Sequence, residues 1–351
     1  TWEANICKVV PYTPGEQPNQ PDMIKLNTNE NPYPPAPGVE KALRGIQPDT
    51  LRLYPDPTAS DLVHAIARNY GLKDEQVFVG VGSDDVLAMS FLTFFNSDKP
   101  VLFPDVTYSF YKVWADLFKV PFETPVLKED FTIDVKDYEK ENGGVIFPNP
   151  NAPTGVYMPL DQVEEILKAN QDVVVIVDEA YVDFAGPSAL ELLDKYENLL
   201  VVQTFSKSRS MAGMRIGFAM GHPDLIRALN DVKYSYNSYT MNLPSLLAGV
   251  EAVKDKEYFE KTIEKIVATR ERAKKRLTEL GFTFPNSQSN FIFASHKSVP
   301  AGKIFEALKK EQIYVRYFKT PGLDNSLRIS IGTDEEMDTL FRFLEAYLPN
   351  A

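Results

Sequence analysis

Short apolar runs alternate with amphipathic segments through the middle of the chain. The apolar runs occupy residues 76–80, 101–103, 144–147, 173–177, 199–205 and 216–220. Segments with helix-like spacing of polar residues separate them, including residues 84–95, 160–170 and 223–232. Strands buried on both faces that alternate with helices are typical of a doubly wound, mainly parallel sheet. Because such sheets bind ligands beyond the carboxyl ends of their strands, the polar residues that follow each run are the candidate site residues.

The pattern changes on either side of this region. Residues 254–280 carry charges at helical spacing, and short apolar runs follow at residues 282–284, 291–294, 313–316 and 327–331. This arrangement predicts a smaller α+β domain that is joined by a long helix. The first two dozen residues contain four prolines and no helical period, which indicates an extended arm. We therefore predict an α/β protein with an arm that leads into the small domain (residues 1–28), a large domain (29–250) and a small C-terminal domain (251–351).

Composition narrows the class of protein. A length of 351 residues suits two domains, and a chain with 44% hydrophobic and 25% charged residues is typical of globular proteins. No apolar stretch approaches the roughly 20 residues that a membrane helix needs. The net charge of -12 would repel phosphate backbones at long range, so we expect no nucleic-acid partner.

The cysteine and histidine residues exclude two further kinds of site. Cys7 is the only cysteine, which excludes an internal disulfide, and the three histidines are scattered without the spacing of metal ligands. No signal-peptide pattern opens the chain. We therefore expect a cytoplasmic protein without a metal site.

Two ionisable residues follow apolar runs of the predicted sheet. Lys207 lies in Thr-Phe-Ser-Lys-Ser after the run that begins at residue 199, and Asp178 directly ends the run 173–177. A lysine after a strand is usually a solvated charge, and an aspartate there can cap the next helix. A carboxylate at the end of a fully buried strand nevertheless needs a cationic partner, and a pyridinium nitrogen is suitable. On these patterns alone, both interpretations of each residue remain open.

Two loops rich in small and turn-forming residues follow other runs. The loop Gly80-Val-Gly82-Ser83-Asp84-Asp85 opens a helix and offers free N–H groups and the positive end of a helix dipole to a phosphate. A plain turn with a capping residue explains it nearly as well. The loop Asn149-Pro-Asn151-Ala-Pro-Thr-Gly155 is, by itself, typical of an ordinary connection.

The order of these motifs resembles that of the fold-type I pyridoxal-phosphate (PLP) aminotransferases. The matching segments are Gly82-Ser-Asp-Asp, residues 104–108, residues 151–155, Asp178-Glu-Ala-Tyr181, residues 206–215 and Leu327-Arg-Ile-Ser. Three N-terminal motifs are most similar to the histidinol-phosphate aminotransferase branch, namely Pro11-Tyr-Thr-Pro-Gly15, Asn27-Thr-Asn-Glu-Asn-Pro32 and Arg52-Leu-Tyr54-Pro55. The resemblance covers nearly the whole chain and implies pyridoxal 5'-phosphate as cofactor.

The resemblance assigns catalytic roles to residues around the cofactor ring. Lys207 would bind PLP covalently and move protons as general acid and base. Asp178 would keep the pyridine nitrogen protonated, and Tyr181 would donate a hydrogen bond to the phenolic oxygen. Tyr108 would stack on the face of the ring.

The resemblance also assigns residues to the rest of the cofactor. The phosphate group would be held by the N–H groups and side chains of Ser83, Asp84, Ser206 and Arg215. Tyr54 would reach this phosphate and the substrate from the second subunit of a homodimer. The family usually has asparagine directly before Pro-Thr-Gly, where this chain has Ala152. The nearest amide, Asn151, is the predicted replacement.

Two arginines on small-domain strands are the candidates for substrate binding. Arg316 and Arg328 would bind the carboxylate of glutamate and the phosphate of L-histidinol phosphate, because a guanidinium binds either anion in a planar, bidentate manner. Tyr12 and Asn29 would complete this side.

The implied reaction is transamination of L-histidinol phosphate with 2-oxoglutarate, giving imidazole acetol phosphate and glutamate in L-histidine biosynthesis. Two alternatives remain open, a lyase similar to threonine-phosphate decarboxylase and an aromatic amino acid aminotransferase. The bond that breaks depends on how the substrate is oriented, which no sequence motif determines.

Overall fold

The structure, a computed structural model, describes all 351 residues and contains two β-sheets covered by helices. The helices are α1 (Pro37–Arg44), α2 (Ser60–Tyr70), α3 (Ser83–Phe94), α4 (Phe110–Phe118), α5 (Leu160–Ala169), α6 (Pro223–Tyr236), α7 (Leu243–Lys254), α8 (Lys256–Glu279), α9 (Ala301–Lys310) and α10 (Asp334–Tyr347). Short 3-10 helices lie at Trp2–Asn5, Pro48–Arg52, Asp74–Gln76, Val135–Tyr138, Val182–Phe184, Ala189–Leu192, Ala212–Met214 and Leu348–Asn350. None of these helices combines the length and the apolar character that crossing a membrane requires.

The larger sheet has seven strands and is mainly parallel. Its strands are β2 (Val77–Gly80), β3 (Val101–Leu102), β4 (Phe122–Glu123), β5 (Gly144–Pro148), β6 (Val175–Asp178), β7 (Leu199–Thr204) and β8 (Gly217–Gly221). Their order is β2-β8-β7-β6-β5-β3-β4, and only β8 runs antiparallel to its neighbours. The mainly parallel sheet that the apolar runs predict is therefore confirmed.

Helices cover both faces of this sheet. Along β5, β6 and β7 successive side chains alternate between two apolar clusters, as the two-residue period of a strand requires. One cluster contains residues of α2, α5 and α7, and the other contains residues of α3, α4 and α6. Because both faces are dry, polar side chains occur where the strands end, and the parallel strands present those ends at one edge.

The smaller sheet has five strands and brings the start of the chain beside its end. Its strands are β1 (Ile24–Leu26), β9 (Phe282–Thr283), β10 (Phe291–His296), β11 (Ile313–Tyr317) and β12 (Leu327–Ser330). Their order is β1-β11-β12-β10-β9, with β1 parallel to β11 and the other pairs antiparallel. Apolar residues of α8, α9 and α10 pack with this sheet in a third cluster. Strand β1 therefore delivers the residues after Leu26 to the space between the two sheets.

The predicted long helix is interrupted at its first turn. Helix α7 ends at Lys254 and α8 begins at Lys256. Between them Asp255 leaves the helical conformation, and its side chain accepts a hydrogen bond from the N–H of Tyr258. This capping bond starts a new helix and so redirects the chain from the large sheet to the small one.

Candidate active site

Lys207 lies in a cleft between the two sheets. Its Nζ donates a hydrogen bond to the main-chain oxygen of Thr28 at 2.9 Å and lies 5.8 Å from the ring centroid of Tyr181. Burial, and to a lesser extent the positive charge of Arg328, lowers the pKa of Lys207 to about 8. An amine with such a pKa is partly neutral near neutral pH, so it can act as a nucleophile or a base.

Asp178 ends strand β6 with one oxygen satisfied and the other free. Its Oδ2 accepts a hydrogen bond of 2.7 Å from the hydroxyl of Tyr111, and its Oδ1 is buried without any partner. The side chain is 4% exposed, and this burial raises the pKa of Asp178 to about 6. A lone buried carboxylate oxygen is costly, so the site suits a ligand that supplies an N–H or a positive charge there.

A cradle for an anion lies at the start of α3. Gly82 has φ +84, which favours glycine, and the first N–H groups of the helix have no side-chain cap. A Cβ on Gly217 of β8 would lie 2.2 Å from Gly82 C and Ser83 N, so only glycine lets this strand approach so closely. Free N–H groups at a helix start bind phosphate groups well.

Two further predicted residues border this cradle. Nη2 of Arg215 lies 2.5 Å from where a Cβ on Gly82 would be, and 3.9 Å from Oδ2 of Asp84. Ser206 Oγ lies 3.0 Å from Thr204 Oγ1, and Thr204 is the register partner of Gly217 beside the cradle. The structure thus brings Ser83, Asp84, Ser206 and Arg215 together.

Aromatic side chains form one wall of the cleft. Tyr108 donates a hydrogen bond of 2.8 Å to Oδ1 of Asp84, and its ring meets that of Tyr111 edge to face at 5.8 Å. Tyr12 stacks on Phe110 with ring centroids 4.1 Å apart. These contacts set the planes of Tyr108 and Tyr12, which is the condition for holding a flat ligand between defined surfaces.

The opposite wall carries two cations without acidic partners. Arg316 and Arg328 are register partners on β11 and β12, and neither forms an ion pair with a carboxylate. Arg328 donates to the main-chain oxygen of Asn27 at 3.0 Å, while its buried Nε has no partner. Burial raises the pKa of Tyr12, although the two arginines oppose that rise. The wall is therefore a positive pocket that fits a carboxylate or a phosphate.

Two further predicted residues have hydrogen-bond partners within the protein. Asn151 donates both of its side-chain N–H groups within the protein, to Val106 O at 2.9 Å and to Thr154 Oγ1 at 3.2 Å. Asn29 is 1% exposed and its amide donates to the hydroxyl of Tyr181 at 2.9 Å. Asn29 therefore contacts Tyr181 directly in the buried part of the cleft.

Tyr54 is the one predicted site residue that the fold leaves outside this cleft. Its side chain is 81% exposed, and its ring lies 4.6 Å from that of Tyr239. Conversely, the sequence analysis did not identify Tyr111, whose partner Asp178 is 67 positions away, or the Thr28 carbonyl that receives Lys207. Tyr111 lies three positions after Tyr108, but this spacing does not identify Asp178 as its partner.

Comparison with known proteins adds a family to this geometry. Residues 21–344 match the model of the family described as "Aminotransferase class I and II". The chain is 52% identical to a histidinol-phosphate aminotransferase of Brachyspira hyodysenteriae over 97% of both chains. It is 54% identical to one of Clostridium acetobutylicum over 96% of both chains.

Solved structures agree with the fold. The histidinol-phosphate aminotransferase of Sinorhizobium meliloti, solved with pyridoxal-5'-phosphate, matches with a TM-score of 0.83 and 26% identity, covering 93% of this chain and 90% of that one. The L-threonine-O-3-phosphate decarboxylase of Porphyromonas gingivalis matches with a TM-score of 0.79 and 18% identity, covering 93% of this chain and 100% of that one. The fold is thus common to transaminases and a decarboxylase.

Proposed function

Because this chain belongs to the class I and II aminotransferase family, we propose that it is a PLP enzyme that transfers the amino group of L-histidinol phosphate to 2-oxoglutarate. The observation that carries the proposal is the identity of more than 50% to histidinol-phosphate aminotransferases along nearly their whole length. The anion-binding wall of Arg316 and Arg328 supports it.

The cleft residues fit the cofactor that this reaction needs. The free Oδ1 of Asp178 matches a protonated ring nitrogen, the start of α3 with Arg215 matches a phosphate group, and the amine of Lys207 matches an aldehyde. When bound, PLP supplies an electron-withdrawing ring that stabilises the negative charge left on the substrate's Cα after its proton is removed.

The residues of this chain then perform the proton chemistry. The carboxylate of Asp178 keeps the ring nitrogen protonated, and Tyr111 holds that carboxylate in place by its 2.7 Å hydrogen bond. Neutral Lys207 accepts the proton from Cα at Nζ, and the carbonyl of Thr28 at 2.9 Å holds the resulting ammonium. Tyr181 would donate to the phenolic oxygen of the bound cofactor, and Tyr108 would cover its ring and exclude water.

One positive pocket serves both halves of the reaction. Arg316 and Arg328 bind the phosphate of L-histidinol phosphate in one half and the carboxylate of glutamate or 2-oxoglutarate in the other. Tyr12 borders the same pocket, where both arginines lie close enough to influence its hydroxyl. Anions of similar size can therefore exchange at one place without a second site.

The exposure of Tyr54 supports a homodimer in which this residue completes the partner's site. Leu51, in the 3-10 helix that precedes Tyr54, and Leu53, directly after that helix, are each 58% exposed. An apolar loop with a tyrosine at its tip that avoids its own cleft is suited to contact a second copy of the chain.

A coupled assay tests the reaction. L-histidinol phosphate and 2-oxoglutarate are incubated with the enzyme and PLP, and glutamate is measured, with Lys207→Ala as the inactive control. We expect glutamate only from the unaltered enzyme. Release of carbon dioxide from O-phosphothreonine without glutamate formation would overturn the proposal in favour of a lyase, and faster turnover of phenylalanine would favour an aromatic aminotransferase.

A further inference from the structure

A chain of hydrogen bonds links the small sheet to Tyr181. The Oγ of Ser330, on strand β12, accepts a hydrogen bond of 2.9 Å from the main-chain N–H of Asn29. The Ser330 hydroxyl donates to Oδ1 of Asn29, also at 2.9 Å. Nδ2 of Asn29 then donates to the hydroxyl oxygen of Tyr181 at 2.9 Å. All three residues are buried, so water does not compete for these bonds.

The main-chain N–H of Asn29 fixes the direction of the first bond in this chain, and the other two bonds continue in the same direction. The main-chain N–H of Asn29 can only donate, so Ser330 Oγ accepts from it and has a single hydrogen left for Oδ1 of Asn29. The Ser330 hydroxyl uses this hydrogen for Oδ1, and the NH2 group of the same amide is turned to Tyr181. The Tyr181 oxygen is thereby an acceptor, and its own hydrogen is free to donate in another direction.

The backbone around Asn29 is held from the same sheet. Asn29 has φ +57, a left-handed conformation that asparagine tolerates better than most residues. Its carbonyl accepts a hydrogen bond of 2.9 Å from Nδ2 of Asn290, and Arg328 holds the carbonyl of Asn27. The neighbouring carbonyl, that of Thr28, receives Lys207. Residues of the small sheet and its adjoining loop thus position the Thr28 carbonyl, which receives Lys207, and Asn29, which bonds to Tyr181.

We propose that Ser330 is a positioning residue that, through Asn29, keeps the hydroxyl hydrogen of Tyr181 directed at the phenolic oxygen of the cofactor. This inference rests on the proposed function, in which Tyr181 donates to that oxygen. A hydroxyl whose oxygen accepts a hydrogen bond is a stronger donor, and donation to a phenolate stabilises the deprotonated form of the bound cofactor. Without Ser330 the amide of Asn29 can turn over, and Tyr181 would then donate to Oδ1 instead.

Other ionisable groups also face Tyr181 and contribute to the same equilibrium. They are Arg328 from β12, Asp178 from β6, Asp84 from α3, Lys207, and the phenols of Tyr12 and Tyr108. None of them is changed in the variants below, so their effect is common to every protein compared.

The test is a pH titration of the visible absorbance of bound PLP. In Ser330→Ala and in Asn29→Gly we expect the midpoint to rise by about 0.5 to 1 pH unit, the effect of weakening one hydrogen bond. Glycine keeps the left-handed backbone, the N–H and the carbonyl of residue 29, so this variant is expected to fold even if the alanine variant does not. The double variant should shift no further than either single one, because both act through one path.

Two controls separate this role from simple packing. Ser330→Thr keeps the hydroxyl and should restore the midpoint of the unaltered enzyme. Ser326→Ala removes the 2.6 Å hydrogen bond between Ser326, directly before β12, and Ser295 on β10. This bond does not involve Asn29, so the midpoint should stay unchanged.

The outcomes distinguish this inference from the proposed function. If the unaltered enzyme binds PLP with a titrating band and the variants at positions 330 and 29 keep its midpoint, the role of Ser330 is refuted while the function stands. Additive shifts in the double variant would also refute it. An unaltered enzyme without a PLP band at all would overturn the proposed function, and this inference with it.

Discussion

Replacing Asp178 by asparagine is expected to show that the Asp178 carboxylate destabilises the cofactor-free protein. Burial raises the pKa of Asp178 from 3.8 to about 6, and its Oδ1 has no partner. At about 1.4 kcal/mol per pKa unit, this rise of about two units corresponds to about 3 kcal/mol. Charged Asp178 therefore destabilises the folded protein by about 3 kcal/mol unless a cation pairs with it.

The sign of the pH dependence follows from the raised pKa. The folded protein binds the proton of Asp178 more tightly than the unfolded chain does, so the stabilisation is fully present below a pH of about 4. It is lost as the pH rises through about 6. Relative to Asp178→Asn, the unaltered apo protein should lose about 2 kcal/mol of unfolding free energy between pH 4.5 and 8, because part of the total loss has already occurred at pH 4.5. Glu179 and Asp183 also have raised pKa values, but both proteins contain them and their effects cancel.

Urea unfolding of the cofactor-free proteins provides the measurement. Both are compared at one protein concentration between pH 4.5 and 8, and the readout is the change in their difference with pH, because the new amide adds only a constant offset. With PLP at pH 8 the order should reverse, and turnover of the variant should fall by about 100-fold or more. A difference that stays flat across the window would refute the desolvated carboxylate, and full turnover would refute its role at the cofactor.

Three further predictions follow from the site. Gly217→Ala should weaken PLP binding by about tenfold or more because its Cβ would overlap Gly82 and Ser83, whereas Gly213→Ala, with nothing within 4 Å, should bind PLP normally in the same equilibrium titration. Mixed dimers of Tyr54→Ala and Lys207→Ala should regain about a quarter of the normal glutamate production if Tyr54 serves the partner's site, and none if it serves its own. Asn151→Ala should lower the unfolding free energy by about 1 to 3 kcal/mol in urea but leave the midpoint of the PLP band in place, since neither N–H is free; a moved midpoint would indicate direct contact.

The elements of the large sheet could be predicted because burial on both faces produces continuous apolar runs. Residues 173–177 and 199–205 correspond to β6 and β7, and the ends of these strands carry Asp178 and lead into Lys207. Parallel pairing brings such ends to one edge, so the pattern made these two residues candidates for one site, and the resemblance to the aminotransferases assigned them to it. The break at Asp255 was missed because charges continue at helical spacing through it.

Only the tertiary structure determined which partner each polar side chain hydrogen-bonds to. The sequence places Asn29 and Asn151 in the right motifs, yet the fold turns one toward Tyr181 and engages the other with Val106 and Thr154. The contact between Asn29 and Ser330 joins residues 301 positions apart. Local spacing determines which face of a strand or loop a side chain occupies, because that depends on backbone period alone. The partner that it meets there depends on how two sheets pack, and the carboxylate of Asp178 keeps one oxygen free for the same reason.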